Sequence, residues 1–260
     1  MTEVYAIGRT TVRALTDAVG HFFEPVVKAF PGASDDAWRA ARERDPEAFD
    51  GDRWRLRFRC FLVTAGSATI LVDAGIGPAE APAQEWAPVP GRLPGELAAA
   101  GVDPGDIDTV VLTHLHTDHI GWVASPTLFP NARHILQQVE HDAVDRLNPA
   151  LRHGLLDPLR AAGQLTLVDG SIPIAPGVRA EPAPGHTPGH QVVLVESGEQ
   201  TMAIAGDTFV HAIQLADPSV RYALEEEPEA AAGSRRMLLE RASVLATAHL
   251  TAPFTPIRPS

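Results

Sequence analysis

Hydrophobic and polar positions along the chain form many short strand-like runs and fewer helical ones. Residues 4–18 are rich in β-branched and apolar side chains and predict one or two strands. His21-Phe22-Phe23-Glu24-Pro25 then opens a segment that predicts irregular structure. Ser34-Asp35-Asp36 predicts a helix N-terminus ahead of Ala37–Arg42. Trp54–Arg59 alternates apolar and basic residues as a half-buried strand does, and runs on into Cys60–Thr64. A turn at Gly66-Ser67 and the run Thr69–Asp73 complete a hairpin that ends at Ala74-Gly75-Ile76-Gly77. Residues 78–91, rich in Pro and Ala, predict a loop, and Leu93–Ala100 a short helix. Thr109–Thr113 is an apolar strand that leads directly into a His-rich segment.

The second half predicts strands at Arg133–Leu136, Leu165–Val168, Val178–Glu181, Gln191–Val195, Met202–Ala205 and Val244–Thr247. Helix-like runs lie near Gln138–Leu147, Leu151–Ala162 and Glu229–Arg241. Strands first, then strand and helix in turn, fit an α/β architecture of two sheets with helices on their outer faces. No stretch is long enough to act as a linker, so residues 1–260 are expected to form a single domain.

Composition narrows the classes. Acidic residues outnumber basic ones, 33 to 21, for a net charge of −12, which disfavours a nucleic-acid partner. Cys60 is the only cysteine, which excludes an intramolecular disulfide and fits a reducing compartment. No segment approaches the ~18 apolar residues of a membrane helix, and the first residues carry no basic region followed by an apolar stretch. The expectation is a cytoplasmic protein with no membrane partner.

The chemistry is concentrated in His114-Leu115-His116-Thr117-Asp118-His119, three imidazoles and a carboxylate within six residues of a strand end. Imidazole N and carboxylate O are zinc ligands. A helix would send His114 and His116 to different faces, so the spacing suits a loop at a sheet edge. His186, Asp207 and His249 each follow a predicted strand in the same way. One site at one sheet edge would require that placement.

With these residues in view, the chain resembles the metallo-β-lactamase-fold hydrolases. Their pattern His-x-His-x-Asp-His stands at 114–119, their upstream strand-and-aspartate signature at Thr69–Gly75, and their later motifs at His186, Asp207 and His249. The likeness covers roughly residues 58–250 and implies a four-layer αβ/βα sandwich holding two metal ions. It implies His114, His116 and His186 on the first ion, Asp118, His119 and His249 on the second, Asp207 bridging both, and Asp73 as a buried support. With no cysteine near Asp207, the resemblance points away from true β-lactamases. It is nearest the lactonase and methyl parathion hydrolase-like branch, through His119-Ile120-Gly121-Trp122 and the segment 206–218. Some lactonases of that branch carry a tyrosine shortly after the bridging aspartate. Here those positions are Thr208, Phe209, Val210 and His211, a departure that sets the chain apart from the homoserine-lactone enzymes.

Two divalent ions lower the pKa of a bridging water and yield a hydroxide nucleophile near neutral pH. Zinc is the expected metal, with Mn2+ or Fe2+ as alternatives. Asp118 could pass a proton to the leaving group, so Asp118 and Asp207 are the candidate catalytic residues. His190 and His211 are candidate supports or substrate contacts, His190 foremost as a buried helper at the start of its strand. Phe22, Phe23, Trp86, Trp122 and Phe209 are candidate pocket walls. The expected substrate is a small neutral ester or lactone. Phosphotriester or thioester hydrolysis and a mononuclear iron, persulfide-oxidising chemistry stand as alternatives, and a homodimer is left open.

Overall fold

A computed structural model describes residues 3–123 and 128–257. Two sheets face each other. The first holds β1 (Val4–Ile7), β2 (Thr10–Pro25), β3 (Phe49–Asp50), β4 (Arg53–Ala65), β5 (Ala68–Val72), β6 (Thr109–Val111), β7 (Arg133–Gln137) and β8 (Leu165–Val168). Its order is β1-β2-β4-β5-β6-β7-β8, with β3 paired to β4. The second holds β9 (Ile172–Ala175), β10 (Val178–Pro182), β11 (Gln191–Ser197), β12 (Gln200–Ile204), β13 (Val244–Ala246) and β14 (Phe254–Pro256), in the order β14-β13-β12-β11-β10-β9.

The period-two alternation of the strands sorts their side chains into layers. Phe61, Val63, Ile70, Val72, Val111 and Ile135 of the first sheet meet Val193, Val195, Met202, Ile204 and Val244 of the second in one core between the sheets. The intervening residues point outward. Cys60, Leu62, Leu71, Val110 and Leu136 pack against apolar residues of α3 (Leu93–Ala99), α4 (Gln138–Leu147) and α5 (Asp157–Ala161). Val192, Leu194, Ala203 and Leu245 pack against Leu238 of α7 (Pro228–Arg241). Helix, sheet, sheet, helix gives the four layers of an αβ/βα sandwich. A further cluster joins Phe22, Phe30, Trp54 and Phe58 to α1 (Val26–Ala29), α2 (Asp35–Arg44) and α6 (Ala212–Ala216) near the site.

Residues 21–25 correct the expectation of an irregular segment: they complete β2, whose pairs run to His21↔Arg55 and Pro25↔Arg53. The register slips between Thr16 and Ala18 and again between His21 and Pro25. Bulges of this kind break the alternation by which a strand is recognised. The first slip turns Asp17 out of register, with consequences below. Several short elements had no clear signature, α1 and β3 among them. β9 carries Pro173 and is tolerated as an edge strand, β14 has only three residues, and α6 only five. No helix among the described residues is long and apolar enough to cross a membrane.

Candidate metal centre

Strand direction brings the ligand-type residues to one edge. β12 and β13 are parallel, while β11 is antiparallel to both β10 and β12. The C-terminal ends of β10, β12 and β13 therefore share an edge, and His186, Asp207 and His249 follow them. In the first sheet, β5 and β6 are parallel, so Asp73 and His114 emerge side by side. At the end of β12 the chain turns through Gly206 (φ 48°), where an added Cβ would press on Thr113 and His190.

Two donor sets result, His114/His116/His186/Asp207 and Asp118/His119/His249, each with its ligand atoms within 4.8 Å of one another. Asp207 is shared between them. Its Oδ2 lies 3.2 Å from His186 Nε2 and 3.8 Å from His114 Nε2, while its Oδ1 lies 3.1 Å from His119 Nε2 and 3.0 Å from His249 Nε2. Asp118 Oδ2 faces the second set, 3.7 Å from His119 and 3.6 Å from His249.

The buried hydrogen bonds decide what these rings present. His119 Nδ1 is 2.8 Å from Asp73 Oδ2, and His249 Nδ1 is 2.7 Å from the carbonyl of Arg57. Each Nδ1 donates, so a neutral ring at either position turns the lone pair of its Nε2 inward. The two Nε2 atoms face each other at 3.3 Å. Thr113 donates its hydroxyl to Asp73 Oδ2 and accepts from His114 Nδ1, so the Nε2 of His114 is also a bare acceptor. That atom, like Asp207 Oδ1, is buried without a hydrogen-bond partner. Nitrogens facing one another beside carboxylates require positive charge between them, supplied by a proton or by a metal ion. The donor set therefore fits metal ions.

The electrostatics agree. Burial pushes His114 and His116 well below the ordinary histidine range, keeping both neutral. Burial also acts to lower His119, but Asp207, Asp118 and Asp73 outweigh it and raise it well above that range. The second set thus demands positive charge.

Asp73 organises both sets, through His119 directly and through Thr113 to His114. It takes φ 61°, the left-handed region that aspartate tolerates better than most residues. Thr113 N also donates to Asp73 Oδ1 at 2.8 Å. His190 Nε2 accepts the backbone N–H of Asp207 at 3.0 Å.

The centre opens into a cavity of about 350 Å³. Phe22, Phe23, Trp54, Leu56 and Trp86 line part of its wall, and Leu115, Val144, Leu147 and Leu224 another part. Trp86 also donates its indole N–H to Thr117 Oγ1 at 3.1 Å, docking the loop after β5 onto the ligand segment. Trp122, Phe209 and His211 are not in the wall. Trp122 donates to Asp17 and packs beneath the first sheet, and Phe209 packs beneath the second. His211 caps α6 by accepting Ile213 N–H and sits among Phe30, Trp38, Phe49 and Trp54.

Three residues escaped the sequence reading. Asp17, at the bulge of β2, accepts backbone N–H bonds from Ile76, Gly77, Arg92 and Leu93 and the indole N–H of Trp122. Glu140 clamps two ligand loops, accepting from Leu115 N and Gly189 N at 3.0 Å each. Burial raises its carboxyl above the usual range. Tyr222 lies in the cavity wall with its ring stacked on His186, centroids 5.9 Å apart. Single acidic or aromatic residues in unremarkable surroundings carry no motif that would have marked them.

A shared carboxylate between two histidine sets, at the edge of an αβ/βα sandwich, defines a class of metal-binding protein. Residues 59–249 match the Metallo-beta-lactamase superfamily, and the chain belongs to that family. The human protein Metallo-beta-lactamase domain-containing protein 1 is 35% identical over 201 residues, 76% of this chain and 63% of that protein. An N-acyl homoserine lactonase from Bacillus sp is 32% identical over 106 residues, 41% of this chain and 40% of that enzyme. The chain thus spans less than two thirds of the length of these relatives. Among solved structures, AidC, described as a dizinc quorum-quenching lactonase, superposes with a TM-score of 0.76 at 22% identity, covering 100% of this chain and 97% of that one.

Proposed function

We propose that this chain is a binuclear metal-dependent hydrolase, zinc-loaded by preference, acting on small neutral esters or lactones. The observation that carries the substrate class is the cavity wall. Among the described residues it includes neither Lys nor Arg, while Asp118, Glu140, Asp207 and Glu226, the last ion-paired with Arg146, all reach it. A substrate carboxylate or phosphate dianion would find no unpaired cation among the described lining residues, only the metals. An apolar acyl or aryl group would find Phe22, Trp54 and Trp86. Lactonases among the sequence relatives support the same reading.

His114, His116 and His186 would hold one ion, Asp118, His119 and His249 the other, and Asp207 would join them. Bound there, the ions would supply Lewis acidity and an activated water. The chain's own residues do the rest. Asp73 and the Arg57 carbonyl keep protons on the outer nitrogens of His119 and His249, so that their Nε2 atoms stay free to ligate. Asp118 presents one oxygen to the second set, and its other oxygen is free to carry a proton to the leaving oxygen. Tyr222 offers a hydroxyl to a substrate oxygen, and the aromatic wall excludes water from the acyl group.

Phosphotriesters are neutral as well and fit the same wall, so they form the second reading. Glutathione thioesters are anionic and do not. A full set at Asp118, His119 and His249 argues against a mononuclear iron chemistry.

The test is a panel of lactones, aryl esters, phosphotriesters, glutathione thioesters and β-lactams, run with zinc and with manganese. The best ester or lactone is expected to lead. A thioester or β-lactam ahead of all of them by ~100-fold in kcat/KM, about 2.7 kcal/mol of transition-state preference, would overturn the substrate class.

A further inference from the structure

Arg59 is out of place by pattern. It stands on the face of β4 that sends Phe61 and Val63 into the core between the sheets, yet it is a charged residue only 5% exposed. Its guanidinium makes no carboxylate hydrogen bond among the described residues. It donates instead to backbone carbonyls: Nη1 to Leu250, with longer contacts to Thr247 at 3.4 Å and Ala248 at 3.5 Å, and Nη2 to Thr251.

These carbonyls flank His249 on both sides. The chain leaves β13 at Ala246 and pairs again only at β14, from Phe254, so the carbonyls between lack partners from a sheet ladder. Two residues away on β4, the backbone of Arg57 meets His249 itself. The carbonyl of Arg57 accepts from His249 Nδ1 at 2.7 Å, and its N–H donates to the His249 carbonyl at 3.4 Å. The ring hydrogen bond sets the rotation and tautomer of the imidazole. The loop backbone is held by other contacts: the Arg57 N–H on the His249 carbonyl, the Thr251 N–H on Asp45 Oδ2 at 3.0 Å, and the guanidinium, which gathers carbonyls on both sides of His249. A planar fork with several donors can gather carbonyls from both sides of one residue, which an ammonium or an apolar side chain cannot do equally well.

We propose that Arg59 is a positioning residue for the second metal site, holding loop 247–251 so that His249 Nε2 stays within ligating reach of Asp118, His119 and Asp207. The inference rests on the binuclear reading but not on any substrate, because it concerns occupancy of one donor set of two. Arg59 touches none of the ligands of the first set, so loss of its hold should be felt selectively.

The experiment measures zinc binding to the full chain with a competing chelator, together with elemental analysis after dialysis at limiting zinc. Wild type is expected to show two ions. Arg59→Met is expected to keep the first with affinity within about 3-fold and to weaken the second by ~10–100-fold, the usual scale for loss of a group that supports a ligand. Arg59→Lys should fall between them. Should Arg59→Met fail to fold, Arg59→Lys is compared in the wild-type and His249→Ala backgrounds. It should weaken the second ion in the former and leave zinc binding unchanged in the latter. A general structural role would instead weaken both ions in parallel, or lower thermal stability of the metal-free chain with no selective effect. Either result overturns the assignment. Wild type holding a single ion would overturn the binuclear reading itself, and this inference with it.

Discussion

His190 supports Asp207 through the backbone: the N–H of Asp207 donates to His190 Nε2 at 3.0 Å, and His190 Nδ1 donates to the Ala183 carbonyl at 3.2 Å. Burial lowers the His190 pKa to about 3, so the ring is neutral and can accept. The relationship ranks three variants. Asp207→Ala should abolish activity and empty both metal positions. His190→Ala should cost ~10–100-fold in metal affinity or activity, and His211→Ala, outside the cavity wall, less than His190→Ala. Zinc content and kcat/KM of the three proteins check the order. Equal, small losses in all three would mean that Asp207 is not the shared ligand.

Asp17 draws together three separate stretches, residues 76–77, 92–93 and Trp122, with one buried carboxylate. Asp17→Ala would strand these donors at once. Each buried unsatisfied donor costs about 1–3 kcal/mol, and relaxation will recover part of the total. A loss of at least ~3 kcal/mol in denaturant unfolding is expected, with Asp17→Asn milder because it keeps one acceptor oxygen. An Asp17→Ala chain as stable as wild type would show that these loops do not depend on the bulge.

Part of the pH dependence of stability follows from His211. Burial lowers its pKa to about 3 from an ordinary 6.5, and Arg42 adds to the shift. Because the folded value is depressed, the contribution is complete above about pH 6.5 and is lost as pH falls toward about 3. His134, lowered to about 4 by burial, acts in the same direction. Inside that window each such group adds a slope of ~1.4 kcal/mol per pH unit. His211→Asn retains an acceptor for the Ile213 N–H and should flatten the acid limb by about one proton. Unfolding curves at pH 4 to 7, at matched metal saturation, test this. An unchanged slope would place the titration elsewhere.

Tyr222 reaches the cavity from the segment between α6 and α7, fifteen residues beyond Asp207. Burial, with the nearby charges of Asp207, Asp118 and Glu225, raises its pKa well above the phenolic value, so the phenol keeps its proton. Tyr222→Phe should preserve zinc content and the stack on His186 while lowering kcat/KM for esters and lactones by ~10-fold, the value of about one hydrogen bond. Unchanged kinetics would reduce Tyr222 to a packing residue.

The sequence by itself determined the layers and the local metal motif. Alternation in 53–65 and 68–72 dictated which faces meet, because side chains of a strand point to opposite sides whatever surrounds it. Residues 114–119 announced a metal cluster because neighbours in a tight loop converge without help from the rest of the chain. Tertiary structure alone decided how that cluster is held and what it faces. Phe22, Phe23 and Trp86 reach the cavity while Trp122 and Phe209 turn into the helix layers, a choice made by loop packing and not by residue type. Asp17, Arg59, Glu140 and Tyr222 are ordinary residues in sequence. Their roles arise from backbone groups and rings that lie 25 to 200 positions away, and no local pattern encodes contacts at that separation.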